Sequence, residues 1–147
     1  MMDLEIAGVH VSRETFDALK AFEELTRKWT VKINLIAAST IGEIWDRHIV
    51  DSVQLWKLVP EQAQSWVDIG SGGGFPGIVL AIMAKESRPQ MQFTLIESDQ
   101  RKCAFLRTAA RELGLNVKVL SERVEKVAPL AADGMSARAL AALDVLL

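Results

Sequence analysis

The stretch "WVDIGSGGGFPGIVLAI", residues 66–82, limits the fold more than any other part of the chain, because it packs five glycines and a proline between two apolar runs. A short apolar run carrying an acid, then glycines, then a longer apolar run reads as strand, tight turn and buried helix. Pro76 fits the first turn of that helix, where its missing N–H is no loss. Two registers overlap in the loop. Gly72, Gly74 and Gly77 fit the G-x-G-x-x-G dinucleotide pattern, with Glu97 about 20 residues further on as a ribose-binding acid. Asp68, Gly70, Gly72 and Gly74 also form D-x-G-x-G-x-G. A tight turn packed on a strand, with no ligand, is the plain structural alternative.

The segments downstream alternate in the same way. "MQFTLIE" at 91–97 reads as a second strand, "SDQRKCAFLRTAARELG" at 98–114 as a helix closed by Gly114, and "NVKVL" at 116–120 as a third strand. "SERVEKVA" at 121–128 reads as a short helix, and "DGMSARA" at 133–139 as a fourth strand that Gly134 weakens. Such alternation predicts an α/β fold, a mostly parallel sheet with helices on both faces. The fourth strand is expected beside the first, and no fifth strand follows it. The sequence is therefore expected to be a fragment lacking C-terminal strands, or to have its open edge covered by a partner, self-association included.

Upstream, the pattern is helical. Phe16, Leu19, Phe22 and Trp29 recur three or four apart over 12–29, with Ser12 as N-cap. A second helix is expected over 41–58, with Ile41, Ile44, Trp45, His48, Ile49, Ser52, Val53 and Trp56 on one stripe. On that stripe His48 reads as a core histidine satisfied by Asp51 or a backbone carbonyl. The expected organisation is an N-terminal helical extension, 1–64, packed on a core at 65–147.

Composition excludes several functions. One cysteine and two histidines leave no disulfide framework, no CxxC site and no basis for a protein-only transition-metal cluster. No apolar run is long enough to span a membrane, and the acidic N-terminus is no signal peptide, so the expected compartment is the cytoplasm. A net charge of −2 gives no global footprint for nucleic acid, so any RNA-binding surface is local.

The ligand of the loop follows from its chemistry. A pyrophosphate sits on free N–H groups at a helix start, and Pro76 removes one. S-adenosylmethionine, with a sulfonium and an amino group, suits the acid Asp68, and its ribose suits Glu97. "RHIVDS" at 47–52, the glycine loop, "LIESDQRKCAFLR" at 95–107, "ERVE" at 122–125 and "SARALAAL" at 136–143 together resemble the small-subunit ribosomal RNA methyltransferase G family, also called glucose-inhibited division protein B. The resemblance implies a Rossmann-like class I S-adenosylmethionine-dependent methyltransferase acting on N7 of a guanine in 16S ribosomal RNA, with the small ribosomal subunit as partner. It further implies that Gly70 and Phe75 contact the cofactor, that Val124 and Glu125 flank its adenine, and that Arg138 faces the active site, where it binds the cofactor and orients the substrate. Ala137 stands where the family commonly has a serine.

Guanine N7 carries an in-plane lone pair and no proton, so its methylation needs no general base. Cys103 lies within a helix and reads as a small buried residue. Arg47, Arg101 and Lys102 are RNA-binding candidates, with a solvated role as the alternative. Two other functions stay open: a non-catalytic cofactor- or ribosome-binding fragment, and an NAD-dependent oxidoreductase using the other glycine register.

Overall fold

The structure, a computed structural model, describes residues 4–123 and 132–137. It opens with a hairpin of β1 (Leu4–Ile6) and antiparallel β2 (Val9–Val11), which corrects the expectation of a purely helical extension. The turn needs positive φ at Ala7 (50°) and Gly8 (80°). An alanine in that position gives no turn signal, so sequence reading missed the hairpin.

Ser12 then caps α1 (Arg13–Ile33) by accepting the Thr15 N–H, as its position predicted. The helix runs into the segment expected to break it and stops at Asn34, whose left-handed backbone closes the last turn. Residues 38–58 are helical throughout but not one α-helix. A 3-10 stretch (Ala38–Glu43) leads into a π-helical turn (Trp45–Ile49), then α2 (Val50–Leu55) and a closing 3-10 turn (Trp56–Leu58). The π turn widens the helix just where Arg47 and His48 project, a departure found often at functional sites.

β3 (Ser65–Ile69), α3 (Gly77–Ser87), β4 (Gln92–Glu97), α4 (Gln100–Leu113), β5 (Val117–Ser121) and β6 (Gly134–Ala137) follow. The sheet is parallel in the order β5-β4-β3-β6, so the fourth strand of this core does lie beside its first. Pro76 is the N-cap of α3 rather than part of its first turn. The short helix expected at 121–128 is not seen where it can be judged: Ser121 ends β5, and residues 124–128 lie outside the described residues. So do residues 129–131 and the run at 140–147. Among the described residues β6 pairs with β3 alone.

One core joins all these pieces. Leu19 and Phe22 of α1, Ile44, Ile49 and Val53 of the second helical segment, and Phe75, Ile78, Phe93, Leu95 and Phe105 are buried together. Phe22 meets Phe75 at 5.3 Å and Phe105 at 6.0 Å between ring centres. Aromatic contacts of this kind add to the area term that holds α1 on α3 and α4. At the other end of α1, the hydroxyls of Ser12 and Thr15 both donate to the Glu86 carboxylate of α3, which holds its pKa low.

Candidate active site at the glycine loop

The sheet changes direction of growth between β3 and β6, and crevices at such switch points, beyond the carboxyl ends of the strands, take ligands in α/β folds. The glycine loop lies there. It is laid over the end of β4 by two bonds to the Ile96 carbonyl, from Gly70 N–H at 2.8 Å and Ser71 N–H at 3.2 Å. Gly70, Gly72 and Gly74 all have positive φ, at 66°, 52° and 89°, which is why the turn requires glycine in that spacing.

The glycines differ in what surrounds them. At Gly74 a Cβ would sit 2.8 Å from Ile78 Cγ1, and at Gly77 2.6 Å from Asp68 Oδ2. Gly77 lets α3 close onto β3, and Gly74 lets the loop lie against Ile78 of α3 and Phe22 of α1. Gly72 is open, with only the Gly70 carbonyl oxygen near, 3.8 Å from the added Cβ. It is the point at which a ligand can approach the loop backbone. Both glycine registers are thus in use, one for the turn and one for helix–strand packing.

Glu97 ends β4 as expected and is nearly buried. Its Oε1 accepts the Gly72 N–H at 2.7 Å and its Oε2 the Asp99 N–H at 2.9 Å. Each oxygen keeps further acceptor capacity, enough for a pair of ribose hydroxyls. The start of α3 is poor in donors: Pro76 has no N–H, and that of Ile78 goes to the Gly74 carbonyl at 2.8 Å. This geometry disfavours a pyrophosphate.

Asp68 is fully buried behind the loop, under Gly77, and not at its surface. Its Oδ1 accepts from Ser136 Oγ at 2.7 Å, and Ser136 Oγ in turn accepts from Trp66 Nε1 at 3.0 Å. Trp66, Ser136 and Asp68 therefore form a relay that fixes β6 against β3. Gly134, expected to weaken the fourth strand, is instead the residue that admits the Trp66 ring: a Cβ there would lie 2.2 Å from Trp66 Cζ3. Asp133 adds a clamp at the strand start by accepting from the Gln64 and Ser65 N–H groups, which lower its pKa.

Phe75 is 1% exposed and packs between Phe22 and the His48 ring, 5.1 Å away, so it anchors the loop to the core. The Thr40 hydroxyl donates to the Ala37 carbonyl and is also hydrogen-bonded to His48 Nε2, at 2.9 Å. Thr40 was not among the partners that sequence offered for His48. Cys103 is buried and donates its thiol to the Glu97 carbonyl at 3.2 Å, and burial pushes the thiol pKa up. A structural reading of that cysteine follows.

The RNA-binding candidates fall on two elements. Arg47 is exposed on the π turn and pairs with Glu43 at 3.2 Å. Arg101 and Lys102 open α4, which Asp99 caps through their backbone N–H groups. Val124, Glu125 and Arg138 lie outside the described residues. Beside the loop is a cavity of about 460 Å³ whose lining includes Arg47, Asp51, Ser52, Pro76, Trp66 and Ser136. Sequence reading did not single out Asp51, Trp66 or Ser136 for a site. The i, i+4 spacing of Arg47 and Asp51 was the one available signal.

A parallel sheet in this order, with a glycine loop leaving the first core strand and an acid ending the second, defines the Rossmann-like fold of class I S-adenosylmethionine-dependent methyltransferases. Solved structures agree on the fold: an O-methyltransferase from Bacillus cereus in complex with SAH superposes with a TM-score of 0.59 at 20% identity, covering 80% of this chain and 54% of that one. A putative O-methyltransferase from Klebsiella pneumoniae gives 0.51 at 20% identity, covering 80% and 51%. The chain belongs to the rRNA small subunit methyltransferase G family, whose profile matches residues 15–147. It is similar to the ribosomal RNA small subunit methyltransferase G of Ruegeria pomeroyi, 51% identical over 147 residues, which are 100% of this chain and 72% of the relative. The Cereibacter sphaeroides protein of that name is 56% identical over 142 residues, 96% of this chain and 68% of the relative.

Proposed function

We propose that this chain transfers a methyl group from S-adenosylmethionine to N7 of a guanine in 16S ribosomal RNA, presented on the small ribosomal subunit. The observation that carries the reading is the open Gly72 backbone beside Glu97, in a chain of the methyltransferase G family. In this proposal Gly70, Gly72 and Gly74 form the backbone floor of the cofactor site, and Glu97 takes the ribose hydroxyls. Phe75 holds the loop from beneath. Asp68 acts from behind the loop, fixing β3, β6 and the start of α3 rather than meeting the amino group directly. Val124 and Glu125 are assigned to the adenine and Arg138 to the substrate by the family pattern.

When bound, S-adenosylmethionine supplies an electrophilic methyl. The chain's own contribution is position and exclusion of water, because the N7 lone pair needs no base to expose it. The donor-poor start of α3 speaks against the dinucleotide alternative. Residues 1–64 serve as an extension on the 65–147 core, and Arg47, Arg101 and Lys102 contact RNA phosphates. The outer edge of β6 is the place for self-association, and the site of action is the cytoplasm.

Isothermal titration of the chain with S-adenosylmethionine tests the reading, with Glu97→Gln as control. Saturable binding that weakens about 10- to 100-fold in the variant is expected, as for loss of charged hydrogen bonds. Methyl transfer to N7 of a guanine in isolated small subunits then follows. Absence of binding by the folded chain, or methylation at another atom, overturns it.

A further inference from the structure

The cavity beside the glycine loop has two characters. One wall is a single helical face, with Arg47, His48, Asp51, Ser52 and Leu55 projecting at i, i+1, i+4, i+5 and i+8 across the π turn and α2. The facing wall is made by Phe75 and Pro76 of the loop and by Met135–Ala137 in β6. At about 460 Å³ it falls in the roughly 300–1,000 Å³ range of small-molecule pockets. Its lining is mainly apolar, with flat Pro76 and Trp66 surfaces, and among the described residues it holds one exposed carboxylate, Asp51.

We infer that this cavity takes the extruded target guanine, with Asp51 reading the base and Arg47 meeting a neighbouring phosphate. The inference rests on the methyltransferase reading and extends it to how the base is chosen. An enzyme acting on a base atom in structured RNA must take that base out of its stack, hold it between flat apolar surfaces and read its Watson–Crick edge. A carboxylate is an acceptor only. Guanine offers it two donors side by side, N1–H and the 2-amino group. Adenine offers one donor beside an acceptor, and cytosine and uracil present no such donor pair. Asp51 therefore selects guanine by charge and hydrogen-bond pattern together. With the N1 edge turned to Asp51, N7 lies on the far edge of the ring, toward the wall formed by the loop and the end of β6. Arg47 stands one turn before Asp51 on the same face, exposed and held by Glu43 at 3.2 Å, within reach of the mouth.

The test is a titration of the ¹⁵N-labelled chain with GMP, IMP and AMP, read at the Trp66 indole N–H, with and without S-adenosylhomocysteine. GMP is expected to shift the Trp66 signal saturably. IMP, lacking the 2-amino group, should bind about tenfold more weakly, and AMP more weakly still. Asp51→Asn should abolish the preference for GMP while leaving S-adenosylhomocysteine affinity unchanged. Equal binding of the three nucleotides, no shift at Trp66, or a preference that survives Asp51→Asn overturns the inference. Cofactor binding in the same samples is read separately, so a failed base pocket with an intact cofactor site stands apart from failure of the methyltransferase reading.

Discussion

Gly134→Ala is the sharpest test of how β6 is held. The new Cβ would lie 2.2 Å from Trp66 Cζ3 and 2.4 Å from Cε3, well inside any real carbon contact. The ring cannot retreat without leaving the Ser136 hydroxyl, 3.0 Å from its Nε1. Overpacking a fitted site costs about 1–3 kcal/mol. Loss of the indole hydrogen bond adds about 1 kcal/mol. Against this, replacing a strand glycine gains about 0.5–1 kcal/mol of backbone entropy. The net expectation is a loss of about 1–3 kcal/mol, measured by urea unfolding followed by far-ultraviolet circular dichroism. Trp66→Leu supplies the control, because it removes the ring that the methyl meets. In that background the Gly134→Ala cost should fall below about 0.5 kcal/mol, a coupling that a double-mutant cycle isolates. An equal cost in both backgrounds, or none in the first, refutes the role given to Gly134.

Two further outcomes are expected. Phe75→Ala should destabilise by about 3–5 kcal/mol, as for deletion of a fully buried ring, and a urea midpoint little changed from that of the parent would contradict its role as anchor. Asp133 has a pKa held below its ordinary value, first by the Gln64 N–H and then by Ser65, so its contribution is present above the ordinary aspartate range and is lost as pH falls through the lowered value. The melting-temperature gap between the parent and Asp133→Ala should therefore be full at neutral pH and close in acid; a gap that persists or widens there contradicts the assignment.

Much of the fold was legible because its signals are local. Ser12 at a helix start, Gly114 at a helix end, and the period shift at residue 66 act within one turn of chain, and all stand where expected. The glycine loop was legible for the same reason, since positive φ at Gly70, Gly72 and Gly74 is a property of three residues in one turn. Glu97 followed from its place at the end of the second core strand. The hairpin was not legible, because Ala7 takes a left-handed conformation only under tertiary constraint.

By itself, then, the sequence determined the alternation of strand and helix, the caps and the glycine turn, through interactions that span a few residues. Tertiary structure decided what those elements press against each other. It turned Gly134 from a weak point into the seat of Trp66, buried Asp68 behind Ser136, and gave His48 the Thr40 hydroxyl. It also set the Arg47–Asp51 face across a cavity from Pro76 and β6. The Trp66, Ser136 and Asp68 pairings join residues far apart in the chain, and their energies depend on Å-scale approach of packed surfaces, which no local pattern of residue types encodes.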